Sequence, residues 1–190
     1  IKGGFDFQVF AHNGQASRAL HSGAKVHPGE RLGFRFGAKQ TGHLLVVGTD
    51  GRSEPYLCYP QNNAGTSAEM AAEAIPRDLE QAVRLDDVLG SEAIVALHCD
   101  APLAFADVTA AFAKAPSGEG TFPTVRADCR QRVIRLSKVP NPQSCFARRS
   151  LDGPYIRGVG HGDEEVLPRV SSLLSRYNTL NQFCTRSNLY

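Results

Sequence analysis

The chain has 190 residues, 42% of them hydrophobic and 21% charged, with a formal net charge of +2 from 21 basic and 19 acidic side chains. That length suits one domain, or one domain with an appendage, and buries a core without needing disulfides to fold. The near-balanced charge lacks the basic stripe that a phosphate backbone requires, so nucleic acid is not an expected partner; runs such as LLVV and AIVAL stop far short of the ~20 apolar residues of a membrane span, so none is expected in this chain.

The first 138 residues read mostly as β. In FDFQVFAH, Phe5, Phe7 and Val9 alternate with Asp6 and Gln8, the period of a half-buried strand. Asn13-Gly14 is a strong hairpin signal, and its partner strand is expected over Gln15 to Leu20. VHPGE reads as a turn, with Pro28 presetting φ and Gly29 permissive, and Leu32, Phe34 and Phe36 then alternate along RLGFRFGAK. The continuous apolar run HLLVVGTD is that of a strand buried on both faces. Asp50-Gly51 turns it into PYLCYP, where alternation places Tyr56, Cys58 and Pro60 on one face and Leu57 and Tyr59 on the other. Residues 61 to 80, polar and rich in Ala and Asn, are expected to form a long loop with a helical turn. AVRL, a DDVLG turn and a strong strand from Glu92 to Cys99 follow. LAFADVTAAFAKA reads as a helix on which Leu103, Val108, Ala111 and Phe112 share a face, closed by the breakers of PSGEG. CRQRVIRLSKV is the last clear strand. About eight strands and one internal helix predict a mainly β chain, a β-sandwich with a helical decoration.

Beyond residue 138 the composition changes, which divides the chain into a β-sandwich domain over 1–138 and a C-terminal extension over 139–190. The extension holds one amphipathic stretch, in which Val166, Val170, Leu173, Leu174 and Tyr177 fall near helical spacing and Pro168 marks the first turn. It is expected either to dock on the sandwich or to pack on a neighbouring copy. No signal peptide is read at the N-terminus. Because the chain opens on Ile1 and not Met, a segment is expected to have been removed, a targeting signal or anchor among the candidates.

Searching the chain for chemistry excludes most of it. Cys58, Cys99, Cys129, Cys145 and Cys184 show no C-x-x-C spacing, which disfavours zinc ribbons and thioredoxin-type pairs. Long spacing suits an oxidising compartment with two bridges and one thiol, the other reading being five buried reduced thiols. No G-x-S-x-G elbow is present, and Cys58 lacks a cysteine-protease signature, so it reads as a strand residue. On a strand His98 and Asp100 share a face, either as a surface hydrogen bond or as an oriented general base. The six histidines show neither H-x-H nor H-x-x-x-H, and HGDEE at 161 to 165 reads as acidic residues before a helix, so no metal is expected. GVGHG and GAKQTG lack the contexts of dinucleotide and phosphate loops, so no cofactor is expected either. The strand carrying Arg126, Arg130, Arg132, Arg135 and Lys138 is basic; such charges protect a sheet edge or form a partner-binding edge, centred here on Arg130, Arg132 and Arg135. Sixteen of the basic residues are Arg, from a GC-rich genome or from guanidinium use in fixed interface contacts.

Residues 3 to about 138 resemble a bacterial β-sandwich domain of unknown function that occurs at the extracytoplasmic end of anti-sigma-factor-like proteins and attached to caspase-like peptidases and kinases. KGG before the first strand, VHPGERLGFRF, GHLLVVGTDGRSEPYLCYP and LDDVLGSEAIVALHCDAPL carry the resemblance. It implies a sandwich that binds or senses something outside the cytoplasm, periplasmic or secreted, without catalytic residues, and a Cys99–Cys129 disulfide. Cys145 and Cys184 lie outside it and are expected to pair with each other, leaving Cys58 free. The zinc-binding anti-sigma module, membrane helix and peptidase domain of such proteins are missing from this sequence.

The expected role is therefore a non-enzymatic extracytoplasmic binding or protein-interaction domain with a protein partner, possible homo-oligomers included. The alternative is a structural subunit of an extracellular or membrane-associated assembly, with the C-terminal extension as contact element. A hydrolase using His98 and Asp100 is the third reading.

Overall fold

The structure, a computed structural model, describes residues 4–14, 16–50, 55–114 and 122–141. The chain divides into two units, Ile1–Val139 and Pro140–Tyr190, and the fold described here is that of the first. The amphipathic stretch near Leu167, the HGDEE and GVGHG motifs, Cys145 and Cys184 all lie outside the described residues.

Four antiparallel strands form one sheet: β1 (Phe5–His12), β2 (Ser17–Leu20), β4 (Arg31–Ala38) and β8 (Glu73–Arg84), in the order β2-β1-β4-β8. The second sheet has the order β3-β10-β9-β5-β6, from β3 (Ala24–Val26), β10 (Cys129–Lys138), β9 (Gly90–Cys99), β5 (Gly42–Thr49) and β6 (Pro55–Tyr59), while β7 (Ala68–Met70) pairs with β5. One helix, α1 (Phe105–Lys114), follows β9. The molecule is thus a mainly β sandwich, as its alternating strands predict.

The two sheets bury one core between them. Phe7, Val9 and Ala11 of β1 and Leu32, Phe34 and Phe36 of β4 meet Leu44 and Val46 of β5 and Ile94 and Ala96 of β9. The far face of the second sheet is buried too: Leu45, Val47, Val95 and Leu97 pack with Leu103, Val108 of α1 and partly buried Phe112. Central strands covered on both faces need apolar side chains at every position, which is why LLVV and AIVAL read as continuous runs.

The turns follow their residues. Gly14 takes φ +89° in the β1–β2 hairpin, where Asn13 Oδ1 accepts the Ala16 amide. GAKQTG is the β4–β5 connection, not a phosphate loop. The bridge Cys99–Cys129 closes the first register pair of the β9–β10 ladder, and Cys58 is a buried thiol.

Two expectations change. Residues 61–80 are not one long loop: β7 and most of β8 lie there, which brings the described strands to ten. β8 has β4 as its one neighbour and slips register against it twice, between Gly33 and Arg35 and between Phe36 and Ala38. With one face solvated, and with bulges and Pro76 interrupting the alternation, period 2 is lost to a sequence reading, though Leu79 and Val83 still point into the core. The faces of β6 also differ. Val46 opposes Tyr59 and Val47 opposes Leu57, so Cys58 is an inserted residue. Tyr59 therefore joins Tyr56 and Cys58 against the inter-sheet core, while Leu57 packs on the helix side.

Candidate functional site

Along β9 the even positions Glu92, Ile94, Ala96 and His98 face the other sheet. Glu92 and His98 are each 2% exposed, so this strand carries two ionisable groups into the core. Glu92 has a hydrogen bond at one oxygen and an ion pair at the other. The Tyr56 hydroxyl donates to its Oε1, and the Lys138 ammonium lies 2.8 Å from its Oε2. Lys138, the last residue of β10, also pairs with Asp86 in the turn after β8. Asp86 Oδ1 in turn accepts the Val88 amide at 3.2 Å.

The strands fix this chain of groups. Lys138 stands opposite Gly90 in the β9–β10 ladder, two residues from Glu92 on the same face. The Tyr56 ring lies across Gly48, its cross-strand partner, where a Cβ would fall 2.1 Å from Tyr56 Cζ. Only glycine leaves room for the ring to reach inward. Burial alone would lower the Lys138 ammonium, but its donation to Asp86 and its attraction to the Glu92 carboxylate hold it above the ordinary lysine value. Burial, then the neighbouring Cys58 and Glu92, push the Tyr56 hydroxyl well above the usual tyrosine range. The Cys58 thiol is raised by burial and then by Glu92, which keeps it protonated and a poor nucleophile.

His98 sits at the other end of the same face. Its ring lies between Phe5 and Phe36, with centroids 5.6 and 5.4 Å away, and no described residue hydrogen-bonds either ring nitrogen. Gly42 makes space for it, since a Cβ there would lie 2.4 Å from Nε2. Asp100 lies past the end of β9, exposed and without a hydrogen bond to His98, so the His98–Asp100 contact expected from strand parity does not form. The strand ends at Cys99, and the chain bends before Asp100.

Burial, followed by repulsion from Arg130, lowers the His98 pKa, with Asp100 opposing and His43 adding to the shift. The unfolded chain takes up a proton near the ordinary histidine value of about 6.5, whereas the folded chain resists until a lower pH. Stability contributed by neutral His98 is therefore complete above about pH 6.5 and is lost as pH falls toward the depressed folded value. Urea midpoints measured across this window should decline in the native protein and decline less in His98→Leu; equal slopes would assign the decline to other groups.

The basic strand separates into unlike parts. Arg126 precedes β10 and ties down the β9–α1 connection, donating to the carbonyls of Pro102 at 2.8 Å and Ala101 at 2.7 Å and pairing with Asp128. Lys138 is buried in the network. Of the three arginines expected to form an edge, Arg135 has the opposite parity from Arg130 and Arg132 and lies on the other face. Arg130 and Arg132 share a face: Arg130 donates to Gln40 at 3.3 Å, and Arg132 lies 3.9 Å from Asp6 of β1. β3 pairs with Leu136–Lys138 alone. The Arg135 carbonyl accepts the Gly23 amide at 2.8 Å, so odd positions of β10 direct their backbone groups away from β9. Gln131 and Val133 consequently present N–H and C=O groups on a side where no described strand pairs with them.

Among the described residues no group of three or more His, Cys, Asp or Glu side chains is placed to hold a metal ion, and no helix is long and apolar enough to cross a membrane. The Tyr56–Glu92–Lys138–Asp86 chain is absent from the sequence reading, which took Lys138 as an edge charge and Glu92 as a strand start. Its one available signal was Glu92 two residues before the apolar Ile94 on the inward parity. Fold and site define a class, a disulfide-bridged β-sandwich with a buried ion network and a half-open basic edge. Comparison with known proteins returns no match: no family model, no curated protein and no solved structure matches this chain.

Proposed function

We propose that the chain is a non-enzymatic, extracytoplasmic protein-interaction domain that takes an acidic, extended segment of a partner protein as an added strand along the open side of β10. One observation carries this reading: the outward backbone groups of Gln131 and Val133 alternate along the strand with Arg130 and Arg132, on a side where no described strand pairs with them. Backbone pairing supplies affinity in strand addition, and flanking side chains supply selectivity. Two guanidinium groups on one face favour carboxylates of the incoming strand. The Cys99–Cys129 bridge and the resemblance of residues 3–138 to a bacterial extracytoplasmic domain support an oxidising location. Deep burial of Cys58, Glu92 and His98 supports a binding role over catalysis.

The test is fluorescence anisotropy with labelled, β-forming acidic peptides. Arg130→Glu/Arg132→Glu is expected to weaken binding by roughly tenfold or more, about 1.4 kcal/mol, whereas Arg135→Glu, on the opposite face, changes it little. Equal loss in both variants would replace strand addition by general electrostatic attraction. Binding that persists in both would move the site away from β10. Self-association that the double variant abolishes would make a second copy the occupant, the assembly-subunit reading.

A further inference from the structure

The geometry points to an intramolecular amide between Lys138 and Asp86, a covalent cross-link formed within the folded sandwich with Glu92 as proton carrier. Three observations meet at one place. The amine is enclosed, with the Lys138 side chain 2% exposed. The Asp86 carboxyl, an electrophile once protonated, is in direct contact with Nζ. A second carboxylate, Glu92, lies 2.8 Å from the same nitrogen and is itself 2% exposed.

These are the parts the reaction requires. A lysine is a nucleophile only as the neutral amine. The two carboxylates favour the ammonium, so the reaction draws on the minor form in which a proton has passed from Nζ to a carboxylate, a form that enclosure of the amine brings within reach. Nζ passes one proton to the Asp86 oxygen it touches, which gives the neutral amine and the neutral acid. Nζ then attacks Cγ of Asp86, forming the C–N bond. Glu92 Oε2, its carboxylate held at Oε1 by the Tyr56 hydroxyl, takes the extra proton from the tetrahedral nitrogen and delivers it to the departing hydroxyl, and the C–O bond breaks with release of water. The ammonium and carboxylate are converted into an amide and one water, Glu92 ends as it began, and no outside reagent is consumed. Asp86 is 56% exposed, which gives that water a way out. Holding amine and acid together replaces a bimolecular encounter by an effective concentration of about 10⁵–10⁸ M, which offsets the unfavourable condensation in water. The product would tie the turn after β8 to the end of β10 across a separation of 52 residues, next to the boundary at Val139 where the first unit ends.

The experiment is the denatured intact mass of the full chain after complete thiol reduction, with tandem mass spectrometry of the peptides containing Asp86 and Lys138. The native chain is expected to be lighter than its sequence mass by one water, with both residues in one branched peptide. Lys138→Arg, and Glu92→Gln shown to be folded by circular dichroism, are expected to have the full sequence mass. A native chain that keeps the full mass after prolonged incubation in the folded state at neutral pH would overturn the proposal. So would a water loss that persists in Lys138→Arg and maps to Asp50, where Asp50-Gly51 can close to a cyclic imide.

Discussion

Lys138→Met is expected to destabilise the sandwich by about 3–5 kcal/mol, because it strands the Glu92 carboxylate in the core without its cation. Met matches the lysine stem in length, so packing is largely retained and the lost charge dominates. Glu92 retains the Tyr56 hydroxyl, which is neutral and does not replace an ammonium at 2.8 Å. Adding Glu92→Gln to Lys138→Met removes the stranded charge while keeping an acceptor for Tyr56, and should recover most of the loss. Urea denaturation of the two variants decides it. If the double variant is no more stable than the single one, the loss belongs to the packing of the lysine stem and not to the carboxylate. The figure applies to the unlinked chain; where Lys138 is joined to Asp86 the amide is neutral, and the substitution acts by opening that closed loop instead.

Removing the bridge with Cys99→Ser/Cys129→Ser is expected to cost about 3–4 kcal/mol. The closed loop spans 30 residues, and the entropy such a link removes from the unfolded chain scales with the logarithm of that length. For a unit of this size the midpoint of thermal unfolding should fall by roughly 12 °C. Calorimetry on the native chain before and after reduction reports the combined effect of its bridges, and the substitution isolates this one. An unchanged midpoint on reduction would mean that the ten register pairs of the β9–β10 ladder already hold the two ends together. A large fall makes the fold depend on an oxidising surrounding, in keeping with the proposed location.

Much of the β architecture was legible because its signals are local. Phe7, Val9, Leu32, Phe34 and Phe36 alternate along their own strands, and Asn13-Gly14 and Pro28-Gly29 carry their turns in two residues each. β8 was not legible beyond AVRL, since an edge strand answers to one neighbour and its two register slips are set by β4. The face of Tyr59 was misplaced for the same reason: Cys58 is an inserted residue only in relation to Val46 and Val47 across the ladder.

The candidate sites divide in the same way. Arg130 and Arg132 on one face and Arg135 on the other follow from strand parity alone, while the open side beside Gln131 and Val133 depends on where β3 stops. His98 looked like a partner for Asp100 until the end of β9 and the rings of Phe5 and Phe36 placed it in the core.

By itself the sequence determined that this chain is a mainly β sandwich with an apolar central pair of strands, because hydrophobic periodicity and turn chemistry act between residues close in the chain. Only the tertiary structure decided that Glu92 and Lys138, 46 positions apart by their numbers (138 − 92), meet Tyr56 and Asp86 in one buried network. Such a meeting is settled by the register of three strands packed against a second sheet, and a buried charge is tolerated there because its partners arrive from distant segments.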